Sequence, residues 1–189
     1  MLEKVIMAGF GGQGLLFMGK LVAQIAMDSG KHITYFPSYG AEVRGGTANC
    51  HVIISDSEIY SPVIEAASTL VIMNGPSYTR FAPRLERDGL MLLNTSLVGE
   101  YEPIGWGTIV EIPATGEANA LGDVRVANMI MMGAYAEARK PAPIKAFVDA
   151  LARALAAKRP EMLEINTAAI NRGREILNEK AESGQLALP

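Results

Sequence analysis

Two short segments of the chain carry residue types and spacing that could do chemistry. The first is Gly9-Phe10-Gly11-Gly12-Gln13-Gly14, which satisfies G-x-G-x-x-G. It follows an apolar run and precedes a helix-like run. In dinucleotide-binding folds such glycines allow a tight turn and the close approach of a pyrophosphate to a helix N-terminus. The second is Pro37-Ser38-Tyr39-Gly40-Ala41-Glu42-Val43-Arg44-Gly45-Gly46-Thr47-Ala48-Asn49-Cys50. Gly45 and Gly46 can turn backbone N–H groups toward an anion. Arg44 can add a bidentate grip on a carboxylate or phosphate, with Tyr39 and Glu42 to orient it. Equally, Arg44 can pair with Glu42 and do no more than shape the loop.

The glycine cluster meets one requirement of dinucleotide binding and fails another. The ribose of such a ligand is read by an acid about 20 residues further on, at the end of the second strand. Here that strand ends Thr34-Tyr35-Phe36-Pro37-Ser38, with neither acid nor arginine. The first acid is Glu42, already inside the loop. Two other readings stay open. The glycines can serve close strand–helix packing alone. Or the turn is an anion site or docking surface, with the Gln13 amide and backbone N–H groups facing a ligand or partner.

These segments need elements to position them. Lys4–Ala8 reads as a first strand, and Leu15–Ser29 as a helix with apolar residues at helical spacing, closed by Gly30. His32–Phe36 reads as a second strand stopped by Pro37-Ser38. Thr47–Ser55 alternates as a strand, and Asp56-Ser57 with Glu58–Tyr60 reads as a turn and short return strand, a β-hairpin. Pro62–Ala67 reads as a helical piece. Strands are expected at Thr69–Met73, Gly89–Leu93 and Thr108–Ile112, with a helix near Ser77–Leu85. After Pro113 the pattern is helical: Gly116–Leu121, Val124–Arg139, Ile144–Ala157 and Glu161–Lys180. Apolar strands alternating with helices imply an α/β, Rossmann-like three-layer sandwich. Its sheet is mostly parallel with helices on both faces, and its C-terminal part is helical. We read residues 1–189 as a single domain.

Composition bounds the function. The 189 residues can bury a real core, 49% of them are apolar, and the net charge is −3, without the basic bias of a nucleic-acid binder. No apolar run reaches the roughly 20 residues of a membrane span. No signal-peptide pattern is present, so the cytoplasm is the expected location. The one cysteine, Cys50, cannot form an internal disulfide. An iron–sulfur cluster needs about four thiolates, and a structural zinc about four Cys or His ligands. With only His32 and His51 beside Cys50, this chain builds neither, so we assign no metal residue. No nucleophile–base pair can be named, so we assign no catalytic residue. Cys50 reads as a small core residue, and its neighbour His51 as pointing to the opposite face, at the surface or an interface. Met129, Met131 and Met132 circle their helix, as in an element buried deeply or covered by a partner. Asn128, polar among them, either hydrogen-bonds a nearby loop or faces water.

GFGGQG, PSYGAEVRGG and TANCHVIISDSEIYSP together closely resemble the gamma subunit of 2-oxoacid:ferredoxin oxidoreductases. The resemblance continues through Thr69–Asn74, where Ser68 stands in place of a frequent Asp. It returns at Val126–Ala134 and at Glu164-Ile165-Asn166. The TANC ending and the following segment are most like the 2-oxoglutarate branch, while the pyruvate, branched-chain and indolepyruvate branches share the fold. The resemblance implies a complex that decarboxylates a 2-oxo acid on thiamine diphosphate. It passes electrons through iron–sulfur clusters to ferredoxin and releases an acyl-CoA. Thiamine and clusters would sit on alpha, beta and delta chains, with this chain as an accessory subunit. Gly11, Gly12, Gln13, Gly14, Arg44, Gly45 and Gly46 would then face coenzyme A or a partner chain. The alternative is a free-standing nucleotide-binding Rossmann-like protein. Studied alone, the chain is expected to form a homodimer through its uncovered apolar surface.

Overall fold

The computed structural model describes residues 1–39, 47–157, 159–184 and 186. Strand β1 (Leu2–Phe10) leads through the glycine turn into helix α1 (Leu15–Asp28), which ends at Gly30 with φ 75°. Strands β2 (His32–Tyr39), β3 (Thr47–Ser55) and β4 (Ala67–Ile72) follow. Helix α2 (Gly75–Phe81) precedes β5 (Leu85–Asn94), a short α3 (Thr95–Val98) and β6 (Thr108–Ile112). The remainder is helical: α4 (Ala114–Ala120), α5 (Ala127–Arg139), α6 (Ile144–Leu155) and α7 (Leu163–Glu182).

The six strands form one sheet in the order β2-β3-β1-β4-β5-β6. Pairs β1/β4, β4/β5 and β5/β6 are parallel, and β3 is antiparallel to both its neighbours. This is the expected α/β architecture, with a mostly parallel sheet and a helical C-terminal part.

Three local expectations are corrected. Pro37 does not stop β2, which runs on to Tyr39 with Pro37 opposite Cys50. β2 is an edge strand, where a residue without an N–H is tolerated. Glu58–Tyr60 is not a strand. Ser55 already pairs with Leu2 on one side and His32 on the other, so β3 has no free edge for a return strand. The antiparallel partner that follows β3's hairpin logic is instead β2, which precedes it. Pro62–Ala67 is irregular up to Glu65-Ala66, and Ala67 opens β4. α3 was not expected from periodicity, because four residues are too few to show one.

Two cores flank the sheet. On one face Val5, Met7, Cys50, Val52, Val71 and Leu92 pack under α1 and α5, with α6 and α7 behind them. On the other, Ile6, Ala8, Ile53, Leu70, Ile72 and Met91 pack under α2. The first core is much the larger. α5 lies inside it, with every residue from Ala127 to Ala136 buried, including Met129, Met131 and Met132. Its partner α7 approaches so closely that a Cβ on Gly133 would run into the Ile170 carbonyl, and one on Gly173 into that of Ile130. At the amino end of the sheet, buried Glu3 accepts from Thr69 Oγ1 at 2.6 Å, and Arg139 from the end of α5 reaches Thr69 Oγ1 at 2.8 Å and the Ser68 carbonyl at 2.6 Å. Arg139 also stands 3.7 Å from Glu3 Oε1 and places a cation in the last turn of α5, where the helix dipole favours one.

Candidate functional site

The site of interest is the carboxyl end of the parallel strands, where open α/β sheets present ligands to the loops. β1 delivers the glycine turn there. Gln13 N–H closes it onto the Phe10 carbonyl at 3.2 Å. Gly12 has φ 98° and Gly14 φ 75°, conformations that strain any residue with a Cβ. A Cβ at Gly9 would collide with Gln13 and Met73, and one at Gly14 with Asn128. At Gly12 a Cβ would meet open space.

The side chains of Gln13 and Asn74 lock this turn. Gln13 Oε1 accepts from Phe10 N–H at 2.6 Å and from Asn74 Nδ2 at 3.4 Å. Asn74, just past β4, also accepts from Ser77 N–H at 2.9 Å and caps α2. One face of the Gln13 amide is therefore turned inward, and its Nε2 has no partner among the described residues. Asn94, at the end of β5, ties Met73 and Thr115 together.

The first three carbonyls of the turn–helix junction each accept a further bond from outside α1. Asn128 Nδ2 donates to Gly14 O at 3.2 Å, Cys50 Sγ to Leu15 O at 3.4 Å, and Tyr35 OH to Leu16 O at 3.0 Å. These donors come from α5, β3 and β2. They fix the direction of an α1 N-terminus that has no side-chain cap and no acid in its first turn. Asn128 therefore takes the first of its two expected roles, bonding a loop. Burial pushes both the Cys50 thiol and the Tyr35 phenol up to about 12, so each stays a neutral donor. The sequence carried a signal for Asn128, a polar residue inside an apolar helix. Nothing in it marked Tyr35, and Asn74 stood out only as the end of the Thr69–Asn74 segment that carries the resemblance.

Of the seven candidate residues, Gly11, Gly12, Gln13 and Gly14 sit together in this turn. Arg44, Gly45 and Gly46 lie outside the described residues. The residues bounding that segment do bear on it. Thr47 pairs with Phe10 and Ala48 with Gly9, while Tyr39 pairs with Ala48 from the other side. β3 therefore begins beside the glycine turn, and β2 ends one strand further out.

The strand order bears on dinucleotide binding. β3 lies between β1 and β2. The end of β2, where a ribose-reading acid would stand, is two strand spacings from β1, about 10 Å. Both the residue types and the distance are unsuited to that ligand.

His51 projects to the opposite face from Cys50, as expected, with its ring 6.4 Å from that of Phe36. Burial, with Arg84 and Arg80 nearby, lowers its pKa. Among the described residues no three His, Cys, Asp or Glu gather as a metal site.

Comparison with known proteins bears on this geometry. The sequence model described as pyruvate ferredoxin/flavodoxin oxidoreductase matches residues 4–176. The ketoisovalerate oxidoreductase subunit VorA of Methanothermobacter thermautotrophicus is 37% identical over 134 residues, 69% of this chain and 27% of that one. The chain thus spans about a quarter of that relative's length. The 2-oxoglutarate synthase subunit KorC of the same organism is 32% identical over 184 residues, covering 94% of this chain and 96% of that one. The crystal structure of the keto/oxoacid ferredoxin oxidoreductase gamma subunit from Geobacter sulfurreducens superposes with a TM-score of 0.79 at 26% identity, over 94% of this chain and 99% of that one.

Proposed function

Because the chain belongs to the pyruvate ferredoxin/flavodoxin oxidoreductase family, we propose that it is the gamma subunit of a 2-oxoacid:ferredoxin oxidoreductase. The complex converts a 2-oxo acid, 2-oxoglutarate first among them, and CoA to an acyl-CoA and CO2, and reduces ferredoxin. One observation carries the reading: this chain and KorC match over 94% and 96% of their lengths, and KorC is named as a subunit in its own right. The chain's own chemistry agrees with an accessory role. It has a single thiol, buried and bonded to a helix carbonyl, and a dinucleotide-type turn without its ribose reader. Thiamine diphosphate and iron–sulfur clusters belong to alpha, beta and delta chains, and the assembly works in the cytoplasm. No described helix is long and apolar enough to cross a membrane.

Within this reading, Gly11, Gly12, Gln13 and Gly14 with Arg44, Gly45 and Gly46 form one surface that faces CoA or the alpha chain. The register of Thr47 against Phe10 supports treating them as one surface. The test is anaerobic affinity purification from native cells, followed by CoA-dependent dye reduction with 2-oxoglutarate, pyruvate and 2-oxoisovalerate. Co-purification of thiamine- and cluster-bearing chains with one dominant oxo acid supports the proposal. Recovery of the chain alone, carrying a nucleotide, overturns it. Arg44→Ala then separates CoA from docking. A charge-assisted contact to a CoA phosphate predicts a KM for CoA about tenfold higher or more in an assembled complex. An unchanged KM removes CoA from the surface.

A further inference from the structure

A cup of about 600 Å³ opens on the helical side of the molecule. Four segments wall it: α1, the turn leading into α5, the second half of α6, and the start of α7. Its apolar lining includes Phe17, Leu21, Val126, Ala150 and Met162. Around this lining stand Lys20, Arg125, Arg153 and Arg159, and no described lining residue is acidic. That is a local inversion in a chain of net charge −3.

The four cations are not equivalent. Arg125 is engaged by Asp123 at 2.5 Å, and Arg153 by Asp28 at 2.6 Å. Lys20 and Arg159 have no carboxylate partner among the described residues. Two amides complete the wall, Asn128 at 5% exposure and Asn166 at 8%. Each spends its NH2 group on a neighbouring carbonyl, Gly14 for Asn128 and Met162 for Asn166. An amide nitrogen has two hydrogens, so each retains one N–H to offer. An apolar body lined on several sides, with a few convergent donors, is how small-molecule pockets of this volume are built.

We propose that this cup binds an amphipathic organic dianion: an apolar or flat body bearing two anionic charges, matched to the two unpaired cations. Phosphate esters and dicarboxylates share this chemistry. Asn128 joins the wall of the cup to the glycine turn through Gly14 O, and the cup's occupancy does not depend on the subunit assignment above.

The test is calorimetric titration of the full chain at about pH 7.5 with AMP and with octanedioate, with adenosine and octanoate as controls. Side-chain amide resonances of Asn128 and Asn166 report the location. The expected result is saturable one-to-one binding of at least one dianion, with shifts at both amides. Lys20→Ala/Arg159→Ala weakens it by about tenfold or more, since each change removes a charge-assisted contact. Lys145→Ala, on an exposed surface away from the cup, leaves it unchanged. Binding of AMP alone assigns phosphate esters, and of octanedioate alone dicarboxylates. No saturation by either dianion, equal affinity in the double variant, or binding as tight for the controls overturns the proposal.

Discussion

Cys50 and His51 are neighbours with opposite environments, because successive side chains on a strand point to opposite faces. Cys50 is fully buried against Gly19 and bonded to Leu15 O. With its thiol held at about 12, it is not a thiolate at neutral pH. We expect a maleimide or aromatic disulfide reagent to leave the native chain unlabelled at pH 7.5 and to label it fully in denaturant, read by mass spectrometry. For His51 the folded pKa lies below the ordinary 6.5, first through burial and then through Arg84 and Arg80. The unfolded chain therefore takes up this proton first. Stability is complete above 6.5 and falls as pH drops from there toward the lower folded value. Urea unfolding across that interval should show this slope, and His51→Gln should flatten it. The types of these two residues were legible in the sequence. Their partners were not, because Leu15 and Arg84 are distant in the chain.

At the scale of elements, α1 is held at its first turn by donors from α5, β3 and β2. Asn128→Ala removes one of them and leaves a helix carbonyl with a weaker shell. A loss of about 1 kcal/mol is expected, or about 2–4 °C in Tm for a chain of this size. Gly14→Ala combines a positive φ with collision against Asn128. It should cost more, about 2–3 kcal/mol, and resist rescue by any other L-residue. The α5–α7 crossing makes a parallel prediction. Gly133→Ala forces the helices apart where backbone meets backbone, at a cost of about 3 kcal/mol or more by denaturant titration. Helix α5 itself was readable from its apolar run. That a glycine in it marks a crossing could not be read, since the opposing carbonyl belongs to α7.

On the whole molecule, apolar surface is unevenly covered. The helical side of the sheet has α1 and α5 with α6 and α7 behind, while the other side has little beyond α2 and α3. Met1, Leu2, Tyr60 and Val63 stand more than half exposed around one shallow groove there. Exposed apolar clusters of this kind favour association. We expect Tyr60→Ser/Val63→Ser to leave Tm within about 2 °C of the parent, because little burial is lost. The same variant should reduce self-association of the isolated chain in sedimentation. By itself the sequence determined the α/β class, most strand and helix positions, the two glycine-bearing segments and the exclusion of a cluster built on one cysteine. All of these follow from local periodicity, turn chemistry and residue counts. Only the tertiary structure decided that β3 enters the sheet between β1 and β2, that Pro37 sits within an edge strand, and that Asn74, Asn128, Cys50 and Tyr35 converge on one turn. Strand order and convergence depend on contacts between residues tens of positions apart, and no local pattern encodes which of them will meet.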